Sequence, residues 1–288
     1  MLQMLHGYKV LLLACWVLAG MLAGCSDEPG RVAADVNGSQ GIEDTANFEA
    51  TKQAAEKGDA KAQVNLGSMY NKGQGVAQND AEAVKWYRAA AEQRDAKAQY
   101  NLGWSYENGR GVAQDYAEAV RWYKLAAEQE HASAQFNLGL MYYKGQGVAQ
   151  DYAEAVKWYR LAAEQGNSGA QYGLGVMYAG GHQGVAQDDA EAVKWSQKAA
   201  EQGNAKAQND LGWMYANGRG IAKDEAEAVK WYKLAAEQGE AEAQFELGAS
   251  YFHGRGVAKD EAEAKKWFQK AADQGHKKAQ DTVRALSR

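Results

Sequence analysis

Apolar residues recur along this chain at the spacing of short amphipathic helices, separated by polar, glycine-containing segments. The apolar residues of 132–144 include Ala134, Phe136, Leu138, Met141 and Tyr142. This spacing fits one face of a helix, since a strand would need strict alternation of apolar and polar residues. Gly145 and Gly147 follow, and glycine adopts the left-handed conformation of a helix C-cap without steric cost. The pattern predicts a helix over 132–144.

A second helix is predicted to begin at Asp151, where Asp151 and Glu154 form a capping-box-like start with Asp in place of the usual Ser or Thr. Apolar residues give this helix a face of its own, and it is expected to end at Gly166. The same pair recurs along the chain as Asn79/Glu82, Asp115/Glu118, Asp188/Glu191, Asp224/Glu227 and Asp260/Glu263. No proline follows Pro29, so no residue interrupts these helices.

The helix pair is one unit of an internal repeat. The segment Gly111–Gln129 returns 36 residues later as Gly147–Gln165, and the only changes exchange Arg and Lys. Six full copies begin at Ala60, Ala96, Ala132, Ser168, Ala205 and Ala241, and a seventh begins at Lys277 and stops after its first half. A fixed period of this length predicts stacked repeats, which offer a binding surface and argue against a buried catalytic pocket.

Positions that keep their residue in every copy are predicted to hold the stack together. A glycine in the middle of a helix costs roughly 1 kcal/mol relative to alanine, so its retention implies very close helix approach. The glycines are Gly67, Gly103, Gly139, Gly175, Gly212 and Gly248. The second helices carry a column of six tryptophans, Trp86, Trp122, Trp158, Trp195, Trp231 and Trp267. We interpret this column as core, since a binding site would not need six equal copies; the alternative is that it faces a ligand.

The pattern A-x-A-Q-x-x-L-G-x-x-Y-x-x-G-x-G-V-x-x-D-x-x-x-A-x-x-W-Y-x-x-A-A-E-Q-G resembles the Sel1-like repeat family, relatives of tetratricopeptide repeats, over about Ala60 to Gln280. The resemblance implies an all-α fold, an α/α solenoid in which six full 36-residue helix-turn-helix repeats and capping half-repeats form a right-handed superhelix. It also implies scaffolding through protein–protein binding, with no common enzymatic activity. Bacterial members are often exported; some resemble adaptors in envelope assembly, and others resemble immunity proteins that neutralise a toxin.

The fourth copy departs from this pattern. It carries one extra residue within Gly180–Gly184, has Ser196 in place of tyrosine, and adds Gly169 and Gly173 to its first helix. The added glycines lower the local helix propensity. Two interpretations stay open: tolerated drift, and a bend or partner-specific notch.

The first 25 residues differ in kind from the rest. Lys9 precedes an apolar run over residues 10–20 that is too short for a comfortable membrane span. Leu22–Cys25 then looks like the lipobox of a bacterial lipoprotein signal, which implies cleavage before Cys25 and lipidation of that residue. The alternatives are an ordinary signal peptide cut near Ala23 and an uncleaved anchor. After cleavage Cys25 is the only cysteine, which excludes disulfides and cysteine metal sites in the monomer.

These features divide the chain into five predicted parts. Residues 1–24 are the signal peptide, 25–42 the lipidated cysteine with a flexible polar tether, 43–58 an N-terminal capping helix, 59–275 the six repeats, and 276–288 a C-terminal capping helix. By resemblance to lipoprotein sorting, the lack of Asp directly after Cys25 favours the outer membrane. We therefore expect a lipid-anchored protein of the bacterial cell envelope that faces the periplasm.

Charge and motif content narrow the function classes. The 288 residues carry a net charge of −5 without a Lys/Arg-rich block, so nucleic-acid binding has little support. The histidines of the mature chain fall in caps and loops of different repeats without metal-ligand spacing: His131, His182, His253 and His276. No nucleophile motif or phosphate-binding loop is present. The sequence therefore predicts no enzyme, no cofactor and no metal site.

Function is expected where the copies differ. Repeat positions 5, 9 and 12 vary most and share one face of each first helix, here called the first-helix face. In tetratricopeptide-like solenoids the matching positions line the concave surface, so we predict that a protein partner binds in this groove. The candidate residues are Tyr100, Trp104, Glu107, Phe136, Leu140, Tyr143, Tyr172, Val176, Asn209, Trp213, Phe245 and Phe252. Aromatic residues dominate them, and Trp and Tyr are enriched at binding hot spots. The alternative is that position 5 packs against the neighbouring repeat.

Three functional hypotheses follow. An adaptor would use the groove to recruit components of an envelope or secretion complex. An immunity-type inhibitor would wrap a toxic enzyme delivered to the periplasm, such as a lipase or a cell-wall hydrolase. A glycan-binding module is the third, because aromatic faces also stack on sugar rings, although the groove lacks dense Asp, Asn and Gln beside its aromatic residues.

Overall fold

A computed structural model describes residues 38–287 of the chain, with side chains described from residue 46 onward. This range folds into fourteen α-helices without a β-strand. The helices are α1 Gly38–Glu56, α2 Ala60–Lys72, α3 Asp80–Glu92, α4 Ala96–Asn108, α5 Tyr116–Ala127, α6 Ala132–Lys144, α7 Tyr152–Glu164, α8 Ser168–Gly180, α9 Asp189–Glu201, α10 Ala205–Asn217, α11 Glu225–Glu237, α12 Ala241–His253, α13 Glu261–Asp273 and α14 Lys277–Leu286. The prediction of an all-α chain of repeated helix pairs is confirmed.

The described residues form two compact units. The N-terminal unit, residues 38–167, contains α1 to α7, and the C-terminal unit, residues 168–287, contains α8 to α14. In both units the first helix of a repeat packs most extensively on the second helix of the same repeat. The second helix packs in turn on the first helix of the next repeat within the unit. Each unit is therefore a stack of helix pairs, the arrangement of an α/α solenoid.

The helix ends follow the predicted capping chemistry. Gly145 ends α6 in the left-handed conformation, with φ of 67°, and its N–H donates to the carbonyl of Met141. At the start of α7, the carboxylate of Asp151 accepts hydrogen bonds from the backbone N–H groups of Ala153 and Glu154. These bonds satisfy backbone groups that the helix itself leaves open.

The predicted capping box is only half formed. The backbone N–H of Asp151 donates to the carbonyl of Tyr142 in the first helix, at 3.0 Å, and so is not available to Glu154. The carboxylate of Glu154 lies 3.2 Å from the ammonium group of Lys157 instead. The bond to Tyr142 ties the end of one helix to the start of the next, which the sequence pattern alone did not predict.

The glycine column marks close helix approach, as expected. A Cβ atom on Gly139 would lie only 2.7 Å from Cδ1 of Tyr159 in the second helix. Gly147, the second glycine of the inter-helix loop, has a φ of 70°, and a Cβ there would overlap the carbonyl of Tyr116 in the preceding repeat. The loop therefore also packs between repeats, a role that the sequence analysis did not assign to it.

Four of the six tryptophans of the column lie in the core, as predicted. Trp122 and Trp158 are buried in the N-terminal unit, beside the fully buried Leu102 and Leu138. Trp195 and Trp267 are buried in the C-terminal unit, while Trp86 and Trp231 are half-buried. The alternative of a ligand-facing column therefore finds no support in the packing.

Buried glutamines link successive repeats through a recurring pair of hydrogen bonds. The Gln135 amide donates to the carbonyl of Ala127 in the preceding repeat, at 3.1 Å, and accepts from Gln165 of its own repeat at 2.7 Å. The same bonds recur around Gln99, Gln208 and Gln244. A buried amide needs such partners, so the constant Gln of the A-x-A-Q pattern is structural.

The two ends differ from the inner repeats. Helix α1 begins at Gly38, five residues before the start predicted at residue 43, and its Phe48 ring packs edge-on against Tyr70 with ring centroids 5.5 Å apart. Helix α14 buries only Ala279. The predicted signal peptide, Cys25 and the tether up to residue 37 lie outside the described residues. Within residues 38–287, none of the helices is both long and apolar enough to cross a membrane.

Candidate partner-binding site

The first-helix face is less accessible than its composition suggests. Phe136, Leu140, Tyr143 and Tyr172 are buried. The other eight candidate residues are half-buried, and none is fully exposed: Tyr100, Trp104, Glu107, Val176, Asn209, Trp213, Phe245 and Phe252. A partner could therefore touch only part of the predicted face.

Position 5 packs inside the helix stack. Its aromatic ring lies against the aromatic residue at position 28, on the second helix of the same repeat. The ring pairs are Tyr100–Tyr123 and Phe136–Tyr159, each with centroids 5.8 Å apart, and Phe245–Phe268, 5.5 Å apart. Tyr100 also stacks on the imidazole of His131, the residue directly before the next repeat, with ring centroids 4.8 Å apart. The alternative that position 5 packs internally therefore accounts for most of this column.

Position 12 also makes internal contacts. The carboxylate of Glu107 accepts a hydrogen bond of 2.6 Å from the hydroxyl of Tyr123. Burial raises the pKa of Glu107 above its ordinary value, although the bond from Tyr123 and the charge of Lys144 act against this rise. Tyr143 packs edge-on against Tyr152, with centroids 5.7 Å apart. Glu107 is therefore held as an acceptor within the stack and is a poor candidate for partner contact.

Position 9 of the N-terminal unit is organised differently. The guanidinium carbon of Arg110 lies 5.6 Å from the ring centroid of the half-buried Trp104. Arg110 is itself held by Asp80 of the preceding repeat, with 3.0 Å between Nη2 and Oδ2. Asn71 donates a further hydrogen bond of 2.8 Å to Asp80. The cation over its face and the salt bridge behind it fix the orientation of the Trp104 ring.

The C-terminal unit repeats this arrangement. Arg219 lies 5.6 Å from the ring centroid of Trp213 and 3.0 Å from the carboxylate of Asp189. Burial alone would raise the pKa of Asp189, but hydrogen bonds from Arg219 and Gln187 lower it below its ordinary value. The carboxylate therefore stays ionised beside Arg219. Each unit thus presents one half-buried tryptophan whose ring is held by an Arg–Asp pair that joins two repeats.

The repeats match the protein-family model described as Sel1 repeat in six successive segments: residues 60–95, 96–131, 132–167, 168–204, 205–240 and 241–276. The chain belongs to the Sel1 repeat family. Sel1 repeats form scaffolds suited to protein–protein interaction, and the resemblance stated from the sequence is confirmed.

Two solved Sel1 repeat structures are similar over most of the chain. One is c5321 of Escherichia coli, described as a protective antigen present in uropathogenic strains and displaying an SLR fold, with 45% identity and a TM-score of 0.79. That match covers 82% of this chain and 50% of c5321, so the chain spans only half the length of that protein. The other is a Sel1 repeat protein from Oxalobacter formigenes, with 36% identity, a TM-score of 0.68, and coverage of 82% and 97%. No match was found among curated proteins.

Repeat position 6, which lies beside position 9 along the same Sel1 helix, was not among the predicted site positions. In the N-terminal unit this position holds an asparagine in three successive repeats, Asn65, Asn101 and Asn137. In the C-terminal unit it holds Asp210 and Glu246 in the fifth and sixth repeats. The sequence did contain a signal for this position, because three successive repeats keep the same polar residue beside the variable first-helix face.

Two further acidic residues lie near position 6 of the C-terminal unit. Glu240 precedes α12, and Glu242 pairs with the imidazole of His276 at 2.8 Å. Burial, reinforced by the charge of Glu240, raises the pKa of Asp210 to about 7. Burial also raises the pKa of Glu240, and the charge of Glu242 adds to that rise. The unit therefore places partly desolvated carboxylates on α10 and directly before α12.

The histidines occupy structural positions, as predicted for caps and loops. His131 and His276 each cap a first helix by accepting a backbone N–H through Nδ1, at 3.2 Å. His182 lies in the inserted loop of the fourth repeat, and His253 is the last residue of α12. No group of three or more His, Cys, Asp or Glu side chains within residues 38–287 is arranged to hold a metal ion.

The extra residue of the fourth repeat is accommodated in a small turn. His182 and Val185 exchange two backbone hydrogen bonds of 2.8 Å, and Gly184 between them has a φ of 82°. Helix α8 still ends at Gly180 and α9 still begins after the Asp188 cap. The insertion therefore leaves both helices of the repeat at their full length.

Proposed function

We propose that this Sel1 repeat protein is a lipid-anchored scaffold of the bacterial outer membrane that faces the periplasm and binds one protein partner through its first-helix faces. Membership of the family supports the scaffold role. The lipobox-like residues 22–25 support the anchor, and the absence of Asp directly after Cys25 supports the outer membrane. Two acyl chains, or one acyl chain together with a second membrane-binding segment, hold a protein stably at a membrane. Lipidation at Cys25 therefore suits this role.

The observation that carries the binding proposal is the matched position of Trp104 and Trp213. Each ring is half-buried and held by a cation 5.6 Å from its centroid. An aromatic side chain that is already fixed loses little conformational freedom when a partner packs on it. The other aromatic candidates use their rings inside the stack, which leaves these two tryptophans as the anchors of the face.

The test is partner capture from native envelope extract with the full chain and with the Trp104→Ala/Trp213→Ala double variant. Truncating an interface tryptophan costs roughly 2 kcal/mol or more, so the double variant is expected to lose at least tenfold in partner recovery. Helical circular dichroism verifies that the variant is folded. Leu125→Ala is the matched control, because Leu125 is an exposed apolar residue of the second helix, at 38% exposure.

Equal partner recovery by the folded double variant and by the control variant would contradict the proposal. The identity of the captured protein distinguishes the possible roles. A component of an envelope or secretion complex would make the scaffold an adaptor. A toxic hydrolase would make it an immunity protein, and recovery of glycan in place of protein would make it a carbohydrate-binding module.

A further inference from the structure

The fourth and fifth repeats interrupt the aromatic packing described above. Position 28 of the fourth repeat is Ser196, where four of the other repeats have tyrosine and the sixth has Phe268. Position 5 of the fifth repeat is Asn209, where three of the other repeats place an aromatic ring against position 28. Two polar residues therefore replace large rings in adjacent repeats of the C-terminal unit.

Polar side chains from α8, from α10 and from the residue before α12 lie together at this interruption. The hydroxyl of the buried Tyr172, on α8, donates a hydrogen bond to Asp210 on α10. The amide nitrogen of Asn209 donates to Asp210 Oδ1 at 3.3 Å. Glu240, which precedes α12, acts electrostatically on Asp210. We call this group, Tyr172, Asn209, Asp210 and Glu240, the polar notch.

The polar notch has more acceptors than donors. The Oδ1 atom of Asn209 is buried and receives no hydrogen bond. A buried acceptor without a donor costs free energy, which a donor from a ligand would recover. This is an observation independent of the negative charge, and it indicates that the notch lacks a hydrogen-bond donor.

Glu240 adds a second carboxylate that the fold does not use. The equivalent residues Asp95, His131, Asn204 and His276 each accept a backbone N–H at the start of the following helix. Glu240 makes no such bond, so its carboxylate is not occupied by capping. Lys206, on the same helix as Asp210, favours the charged form of both carboxylates but forms no ion pair of 4 Å or less with either.

We infer that the polar notch receives a cationic side chain, Lys or Arg, from the protein partner, which donates hydrogen bonds to Asn209 Oδ1 and to the carboxylates of Asp210 and Glu240. A charged group with several N–H donors matches a site with several acceptors and a net negative charge. This inference rests on the proposed function, since it names the chemistry of the partner that the scaffold binds.

The ionisation of Asp210 gives the inference a distinctive pH dependence. Its pKa is about 7, raised by burial and by Glu240 against the opposing effects of Asn209, Tyr172 and Lys206. Burial, with the charges of Glu246 and Asp210, raises the pKa of Tyr232 on α11, so that Tyr232 stays protonated throughout this range. A cation binds the ionised form of Asp210, so its affinity is expected to rise as pH increases from 6 to 8.

The experiment measures binding of a fluorescein-labelled octalysine peptide to the full chain by fluorescence anisotropy at fixed ionic strength. At pH 8 we expect Asp210→Asn to weaken binding at least fivefold, and this difference to shrink at pH 6, where the wild-type carboxyl is protonated. The control Glu237→Gln removes the same charge from an exposed side chain of α11 and should change the affinity less than twofold. Glu240→Gln is a second notch variant, expected to weaken binding at pH 8, and serves if Asp210→Asn alters the fold.

Equal weakening by a notch variant and by Glu237→Gln would show attraction to net charge alone and would overturn the inference. Absence of octalysine binding at pH 8, or binding that is independent of pH, would overturn it as well. These outcomes are distinct from failure of the proposed function, which is measured by partner recovery with the Trp104→Ala/Trp213→Ala variant. A scaffold whose tryptophans bind a neutral or acidic partner would pass that test and fail this one.

Discussion

The guanidinium of Arg219 lies 5.6 Å from the ring centroid of Trp213 and bridges to Asp189 in the preceding repeat. The same three residue types occupy the same repeat positions in the N-terminal unit, at Arg110, Trp104 and Asp80. Because each Arg contacts a carboxylate of one repeat and a tryptophan of the next, it couples the packing of two repeats to the orientation of the candidate anchor.

We predict that Arg219→Met reduces partner affinity about three- to tenfold and lowers the free energy of unfolding by about 1 kcal/mol. The reason is that Trp213 loses its cation and Asp189 its partner, interactions worth on the order of 0.5–1 kcal/mol each when partly exposed. Urea unfolding and partner capture measure the two effects. Arg255→Met is the matched control, because Arg255 holds the same repeat position where Ala249 replaces tryptophan. A similar loss of affinity in both variants would contradict the prediction.

A second prediction concerns the close approach of the two helices within a repeat. Gly139→Ala would place a methyl group 2.7 Å from the Tyr159 ring, which is fully buried and cannot move aside. We expect a loss of roughly 1–3 kcal/mol in the free energy of unfolding, as for overpacking elsewhere, measured by urea denaturation.

The fourth repeat provides the control for this substitution. Gly175 holds the same position as Gly139, but its neighbour is the hydroxyl of Ser196, which can rotate away. Gly175→Ala should therefore destabilise the protein less than Gly139→Ala, or stabilise it through better helix propensity. Equal destabilisation by the two substitutions would show that the tyrosine ring is not the cause.

Local patterns predicted much of the fold, because single residues in each repeat determine its helix caps and its close helix contacts. Asp151, Gly145 and Gly139 act through neighbours in their own helix pair, and their residue types alone indicate their roles. The Arg110–Asp80 pair could not be found this way. Its members lie 30 residues apart in different repeats, where no local periodicity relates them.

The candidate site was harder to predict for a physical reason. The sequence alone does not distinguish a variable aromatic residue whose ring faces a partner from one whose ring packs internally. The ring of Phe136, for example, packs beside Tyr159. Only packing separates Phe136 from the half-buried Trp104. The importance of Asp210 likewise depends on burial and on Glu240, which lies at the far end of the same repeat.

A third prediction tests the membrane anchor. Cys25→Ala removes the residue expected to carry the lipid, so the variant should move from the membrane fraction to the soluble periplasmic fraction. Cell fractionation and immunoblotting measure this distribution. Cys15→Ala is the matched control, since Cys15 lies inside the apolar run and is not the predicted lipidation site. Persistent membrane association of the Cys25 variant would contradict the lipoprotein assignment.

The last prediction concerns stability and pH. The pKa of Asp210 is about 7 in the folded protein, against an ordinary value of 3.8. Between these values the folded state binds a proton that the unfolded state has released, so the free energy of unfolding from this group decreases as pH rises. Its destabilising effect is absent below pH 3.8 and complete above pH 7. We expect a loss on the order of 2 kcal/mol between pH 4.5 and pH 7.5, less than the full shift implies because Asp210 keeps some exposed surface.

Asp210→Asn removes the titrating proton and keeps the side-chain shape. Its urea unfolding midpoint should therefore exceed that of the wild-type protein at pH 8 and approach it at pH 4.5, because only the wild-type carboxylate is charged at the higher pH. Glu237→Gln, which changes an exposed carboxylate, should leave the wild-type pH profile unaltered. A wild-type profile that is flat from pH 4.5 to 8, or one that Asp210→Asn does not change, would mean that Asp210 ionises without difficulty in the folded protein. Octalysine at pH 8 should raise the urea unfolding midpoint of the wild-type protein, because a ligand that binds the folded state stabilises it. Loss of this gain in Asp210→Asn would show that the same carboxylate accounts for both the pH-dependent stability and the binding at the polar notch.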